Sequence, residues 1–369
     1  MVAKEKVLFL LHLPPPVHGS SLVGQYIKGS DLINNKFSTR YINLLASKRV
    51  DDSGKVSLSK LLGMIVTIIN LLRELILHRP QLCYLALTST GAAFYRDVLL
   101  ISLLKLFGVK RIYHMHNKGI RRNEDYPFHS FFYRFVFNGS NVILLAKKLY
   151  KDVQTFVPEK NVDILPNGIP QKPFKVEEIK DKEIINILFL SNLIESKGVY
   201  VLLRAMAILK RKGIVFKGTF IGGEGDISSD QLTQKVNQFE LQNQVEYLGK
   251  RYGADKELAF CIADIFAFPT FYANECFPLV LLEAMQHSLP VISTNEGGIP
   301  DIIEESITGF IVTKNDSLAL ANKLEVLITN PELRKSMGKK GYEKFHTHYT
   351  IDQFENRLCE ILEIVLQKD

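Results

Sequence analysis

The feature that most limits what this chain can fold into is a repeated alternation of short, almost wholly apolar runs with longer helical patterns. In the first half the runs fall at residues 6–11, 82–87, 111–115, 141–144 and 162–165, and helical patterns such as 94–107 and 147–156 lie between them. In the second half they fall at 184–191, 216–221, 245–248, 265–268, 290–294 and 309–312, with helical patterns such as 199–211 and 279–285. Runs this short and this apolar fit strands covered on both faces, and alternation with helices predicts parallel sheets. The series occurs twice, and a chain of 369 residues exceeds the usual size of one hydrophobic core. The expectation is an α/β protein of two doubly wound, Rossmann-like domains, with the polar, charged stretch 171–183 as the linker.

Charge is divided unevenly. The first 170 residues hold 23 Lys and Arg against 11 Asp and Glu, a net of +12, and the remainder holds 23 against 28, a net of −5. The basic half therefore suits an anionic partner: a membrane surface, a phosphorylated acceptor or nucleic acid. Cys83, Cys261, Cys276 and Cys359 are scattered without Cys-x-x-Cys spacing, which points to reduced thiols of a cytoplasmic protein rather than a disulfide framework or a zinc site. The apolar run 7–13 stops at Pro14-Pro15-Pro16, too short for a signal segment, and reads as the first buried strand. The apolar stretch 61–72 contains Asn70 and ends against Arg73 and Glu74, too short to span a bilayer, and reads as a buried amphipathic helix.

Ligands of doubly wound sheets bind beyond the carboxyl ends of the strands, so the loops there hold the candidate site. After the first strand comes Pro14-Pro15-Pro16-Val17-His18-Gly19-Ser20-Ser21: a stiff turn, a glycine that allows close backbone approach, and serines able to cap the next helix. Gly222-Gly223-Glu224-Gly225 is an incomplete glycine fingerprint after the second strand of the second half, suited to a nucleotide approaching the backbone. The most informative segment is Asn274-Glu275-Cys276-Phe277-Pro278-Leu279, running on to Glu283. It predicts Glu275 in a loop, Glu283 on a helix, and the amides of Phe277 and Leu279 at the helix start, where phosphate is favoured; the flanking carboxylates suit hydroxyls.

Glu275-x7-Glu283, within Glu-Cys-Phe-Pro-Leu-Val-Leu-Leu-Glu-Ala-Met, resembles the signature of the retaining GT-B glycosyltransferases of glycosyltransferase family 4. Pro166-Asn167-Gly168, the segment 190–198, Ala263 to Thr270, Gly297-Gly298-Ile299-Pro300-Asp301 and Thr308-Gly309-Phe310 resemble further family segments in the same order. The resemblance covers essentially the whole chain and is strongest over 160–312. It implies two Rossmann-like domains facing a central cleft: an acceptor-side domain over 1–168, a nucleotide-sugar donor domain over 169–349, and a helix over 350–369 packing back on the first. It also implies roles. Glu275 would lie beside the donor sugar, Glu283 on the ribose hydroxyls and Lys197 on the diphosphate, with Phe277, Pro278 and Leu279 at the phosphates and Gly223 near the nucleotide. The family's N-terminal glycine loop corresponds to His18-Gly19-Ser20. Its histidine near the sugar falls in Tyr113-His114-Met115-His116-Asn117, with His116 preferred and His114 the alternate. The family usually has arginine five residues before the lysine; here the residue is Asn192.

The implied activity is retaining transfer from a nucleoside-diphosphate sugar to a saccharide or lipid-linked acceptor in polysaccharide or glycan biosynthesis. Lys197 and helix-start amides would stabilise the leaving diphosphate. Glu275 and Glu283 act as binding groups rather than as a glycosidase pair. No cofactor is implied, and with no Asp-x-Asp in the chain no metal ligand set is expected. A GT-B epimerase or phosphorylase would keep the fold and change the reaction. A non-catalytic nucleotide-sugar-binding protein is favoured only by Asn192. A Rossmann oxidoreductase lacks its full glycine fingerprint, and no nucleic-acid module is recognisable. The basic first half would suit an acceptor held on the inner face of an anionic membrane, through Lys118, Arg121, Arg122, Lys147, Lys148 and Lys151.

Overall fold

A computed structural model describes residues 4–44, 58–172 and 184–368. Most of the expected linker, 173–183, lies outside the described residues. The chain divides into two compact units, Met1–Gly168 with Ile351–Asp369, and Ile169–Thr350.

The first unit is built on a parallel sheet of six strands: β1 Lys6–Leu11, β2 Ser38–Asn43, β3 Leu82–Leu87, β4 Lys110–Met115, β5 Asn141–Leu144 and β6 Val162–Ile164, in the order β2-β1-β3-β4-β5-β6. The period of two along each strand feeds two cores. Leu8 and Leu10 of β1, with Cys83, Leu85 and Leu87 of β3, pack under the helices Leu58–Leu77, Gly91–Leu106 and Pro127–Phe137. Val7, Phe9 and Leu11 face the other way, against Val23 and Ile27 of the helix Gly19–Gly29. That second core is completed by Phe354, Leu358, Ile361, Leu362 and Val365 from the helix Ile351–Gln367.

The second unit repeats the plan. β7 Ile185–Leu190, β8 Phe216–Ile221, β9 Val245–Tyr247, β10 Ile265–Phe268, β11 Val291–Thr294 and β12 Gly309–Val312 form a parallel sheet in the order β12-β11-β10-β7-β8-β9. The order reverses between β7 and β10, so the loops after those strands flank a switch point. Phe189, Phe220 and Phe268 form a ring-on-ring core beneath those loops, with centroids 5.3 and 6.2 Å from Phe189.

Four expectations need correction. The strand β2 has no counterpart among the expected runs, because at the sheet edge only Ile42 of Ser-Thr-Arg-Tyr-Ile-Asn is fully buried. The expected helix 147–156 is a 3₁₀ helix over Lys147–Asp152 only, which still carries Lys147, Lys148 and Lys151. Of the serines after the proline turn, Ser21 takes part in capping the next helix, but as the partner of an N-cap histidine in a capping box. The N-cap is His18: its Nδ1 accepts from the Ser21 amide at 3.2 Å, and Ser21 Oγ accepts from the His18 amide at 2.9 Å. Finally, the apolar stretch 61–72 lies on the helix Leu58–Leu77 but is not a buried element. Leu71 and Leu75 enter the core, whereas Leu62, Ile65, Val66, Ile69, Ile76 and Leu77 stand in solvent. This helix is apolar on both faces and only one face meets the sheet.

Candidate active site

In the second unit the loop after β7 carries Asn192 and Lys197. Residues Glu195–Lys197 form one 3₁₀ turn, closed by Gly198 at φ +93°. Only glycine suits that position, for a Cβ there would lie 2.3 Å from the Pro269 carbonyl oxygen. The close approach ties the β7 loop to the β10 loop, and the Phe271 amide adds to it by donating to the Ser196 carbonyl at 2.7 Å. Lys197 is thereby aimed along the β10 loop. Its Nζ sits 4.4 Å from the Tyr272 ring centre and 2.6 Å from Glu275 Oε2. Both charged side chains are largely buried. A partly desolvated pair of this kind persists where its geometry is fixed, and here both backbones are held: the Glu275 amide donates to the Tyr272 carbonyl at 2.8 Å, and the next carbonyl, of Cys276, accepts from Gly298 at 2.7 Å.

Glu275 lies in the loop and Glu283 on the helix Leu279–Gln286, where the residue pattern placed them. Pro278 is the N-cap residue and no side chain caps the helix. The first turn therefore presents backbone amides, a setting favourable to an anion. Glu283 Oε1 accepts from Lys256 Nζ at 2.6 Å. Lys256, on the helix Gly253–Ile262, was missed by sequence reasoning because nothing in the sequence links it to Glu283. Asn192 makes a neutral contact: its Oδ1 accepts from the Gly223 amide at 3.2 Å, joining the loops after β7 and β8. Asn192, Lys197, Gly223, Glu275, Phe277 and Pro278 thus stand in the loops after strands of one sheet, with Leu279 and Glu283 on the helix that follows the last of them.

In the first unit the corresponding strand ends gather histidines. His114 is wholly buried on β4, with Nδ1 bonded to Tyr84 Oη, while its Nε2 has no hydrogen-bond partner among the described residues. His116 lies farther out, its ring 4.1 Å from that of His114. Beyond β1, His12 Nδ1 and Ser20 Oγ are 3.0 Å apart, and the His12 and His18 rings are 6.1 Å apart. Gly19 opens the helix beside them. Burial lowers the pKa of His116 to about 3, with the neighbouring His18 adding to the effect. Burial likewise holds His12 and His114 well below the ordinary imidazole value and lowers His18. These rings are neutral at physiological pH and offer hydrogen bonds rather than charge.

With this geometry in place, the chain can be set beside known proteins. Residues 170–344 match the family described as Glycosyl transferases group 1. That group 1 segment spans both glutamates, Lys197 and Asn192. A related sequence is the amylovoran biosynthesis glycosyltransferase AmsK of Erwinia amylovora, 29% identical over 226 residues, which are 59% of this chain and 55% of AmsK. The chain spans about half the length of the first curated relatives it matches. Among solved structures, sucrose-phosphate synthase of Thermosynechococcus elongatus superposes with a TM-score of 0.76 at 16% identity, covering 98% of this chain and 99% of that one. Anabaena HepE in complex with UDP superposes with a TM-score of 0.72 at 19% identity, covering 97% and 99%. These likenesses extend over both units and establish the fold as GT-B, with two Rossmann-like α/β domains. Among the described residues no helix is long and apolar enough to cross a membrane.

Proposed function

We propose that this chain is a retaining glycosyltransferase of family 4, which moves a sugar from a nucleoside-diphosphate donor to a saccharide or lipid-linked acceptor in polysaccharide biosynthesis. The observation that carries the reading is the Lys197–Glu275 pair standing before the uncapped helix that bears Glu283, inside the group 1 segment. Relatives named for amylovoran, colanic acid and capsular polysaccharide synthesis support the pathway class, and the neighbour in complex with UDP-glucose supports the donor class.

In this mechanism the bond from the anomeric carbon to the diphosphate oxygen breaks and its electron pair stays on the phosphate. The acceptor oxygen bonds the anomeric carbon on the same face, and its proton passes to the departing diphosphate. Lys197 and the amides of Phe277 and Leu279 stabilise the charge that develops on the leaving group. Glu283 accepts from the ribose hydroxyls. Glu275 accepts from a donor-sugar hydroxyl while orienting Lys197. His116 offers a neutral imidazole to a substrate hydroxyl.

The acceptor is proposed to be held on an anionic membrane. The helices Leu58–Leu77, Gly91–Leu106 and Pro127–Phe137 pack side by side, and each exposes large apolar side chains: Ile65 and Ile69 on the first, Leu99 and Leu106 on the second, Phe128 and Phe131 on the third. Their only acidic residues are Glu74, paired with Arg40 at 3.7 Å, and Asp97, buried against Arg96 at 2.7 Å. An apolar surface without free acidic groups, in a half carrying a net +12, complements an anionic interface.

The class is tested by incubating the protein with UDP-, GDP- and ADP-sugars, with and without lipid-linked and soluble saccharides, and following products by mass spectrometry. Transfer with the donor's anomeric configuration kept, read by NMR, is expected. Donor binding without turnover under every condition would instead favour a binding protein, and an inverted product would remove the retaining assignment.

A further inference from the structure

Asn192 leaves the β7 loop without the cation that the family resemblance leads one to expect there. The cations flanking the glutamate pair do not make good the loss, because each is already neutralised in part: Lys197 by Glu275 and Lys256 by Glu283, both at 2.6 Å. Among the described residues Lys250, by contrast, belongs to no ion pair. It acts on the Glu224 carboxylate, which is held below the usual range first by a hydrogen bond from the Ser229 side chain, then by the Ser229 amide that donates to it at 2.8 Å, and to a lesser extent by Lys250.

The position of Lys250 follows from three loops meeting at the dipeptide Gly222-Gly223. From the β7 side, Asn192 Oδ1 accepts from the Gly223 amide at 3.2 Å and the Leu193 amide donates to the Gly223 carbonyl at 2.7 Å. From the β9 side, the Gly222 amide donates to the Gly249 carbonyl at 3.0 Å, and Tyr247 Oη donates to the Gly222 carbonyl at 2.7 Å. Lys250 follows Gly249 directly and lays its side chain over Gly223. A Cβ at position 223 would lie 2.1 Å from Lys250 Cε and 3.2 Å from its Nζ. The absence of a side chain at Gly223 is therefore what admits the lysine stem. The ammonium rests on the same residue that the Asn192 carboxamide grips, two strands away from the usual origin of the cation.

We infer that Lys250 supplies the second cationic contact to the leaving diphosphate, reaching from the loop after β9 the place that arginine would serve from position 192. The inference rests on the proposed glycosyl transfer. Lys250 takes no proton and forms no bond; its charge favours the state in which the electron pair of the broken bond has moved onto the phosphate. As a compact charge on a flexible stem, it replaces the bidentate fork of arginine with a single point contact.

The test uses the full chain and four proteins: wild type, Lys250→Met, Asn192→Arg, and the double variant. Methionine keeps an apolar stem over Gly223 and removes only the charge, and unchanged thermal melting confirms that the variant is folded. Calorimetry with UDP, GDP and ADP, each beside its free nucleoside, identifies the diphosphate bound most tightly. Lys250→Met is expected to weaken that diphosphate by roughly tenfold, leave the nucleoside unaffected, and flatten the salt dependence of diphosphate binding. The added Asn192→Arg change should restore much of the lost affinity. A folded Lys250→Met protein with unchanged diphosphate affinity and salt dependence overturns the assignment of Lys250 while leaving the transferase reading intact. Wild-type protein that binds none of the three diphosphates and transfers from no nucleotide sugar overturns both.

Discussion

Lys197 Nζ and Glu275 Oε2 are 2.6 Å apart, though 78 residues separate them in the chain. The contact exists because Gly198 lets the β7 loop press against the Pro269 carbonyl of the β10 loop. It converts two flexible charged side chains into one oriented donor beside an uncapped helix start.

Lys197→Met should lower kcat by about 10²–10³ on a donor that the wild type uses, the range for one lost donor to a developing anion. Glu275→Gln keeps the shape and leaves the lysine charged, so diphosphate affinity should stay within a few-fold while sugar transfer falls. Steady-state kinetics beside calorimetry separates the two. Near-normal turnover in Lys197→Met would show that another group carries the charge.

Glu283→Ala should weaken binding of the free nucleoside diphosphate by roughly 1.5–3 kcal/mol, the cost of losing a hydrogen bond to a charged group. Lys256→Met should cost less, since a carboxylate has acceptor sites for both the lysine and a ribose. The two changes should be non-additive because the groups touch. Unchanged binding to a folded Glu283→Ala protein would remove the ribose role.

The buried imidazoles make stability depend on pH with a definite sign. His116 has a pKa of about 3 in the folded protein, below the unfolded imidazole value, and His12 and His114 are lowered in the same sense. Between the two values the unfolded chain binds more protons, so stability is complete above the unfolded value of about 6.5 and falls as pH drops below it. The slope is on the order of 1 kcal/mol per pH unit for each such ring. Thermal melts from pH 7.5 to 4.5 should show the decline, and His116→Asn should make it shallower. Stability that rises on acidification would contradict a neutral cluster.

The exposed apolar layer predicts salt-sensitive binding to anionic vesicles and weak binding to neutral ones. Replacing Leu62, Ile65 and Ile69 together by serine removes side chains that stand in solvent, so the fold should be retained and vesicle binding lost. Co-sedimentation at low and high salt decides it. Equal failure of the wild type on both vesicles would favour a soluble acceptor and leave the transferase reading untouched.

Much of the fold was legible because buried parallel strands leave apolar runs that little else produces, as in Leu-Cys-Tyr-Leu-Ala-Leu of β3. The polar edge strand β2 leaves no such trace. The helix Leu58–Leu77 exposes a different limit: periodicity can show that a face is apolar but not whether a partner covers it. The glutamate pair was legible because its parts are contiguous. Lys250 and Lys256 were not, since their places depend on how β8, β9 and the helix Gly253–Ile262 bring distant loops together.

The helix Ile351–Gln367 has a consequence for how the protein is made. It gives Phe354, Leu358, Ile361, Leu362 and Val365 to the core of the first unit, although the whole of Ile169–Thr350 is synthesised in between. The nascent first sheet therefore leaves the ribosome with one apolar face only partly covered, by the helix Gly19–Gly29, and at about 5–20 residues per second it waits roughly ten seconds or more for its last helix. During that interval the second unit, contiguous in sequence, can fold to completion while part of the first unit's apolar face stays exposed. Separate expression of residues 1–168 should yield an aggregating chain, and supplying the helix as a peptide in trans should rescue part of it.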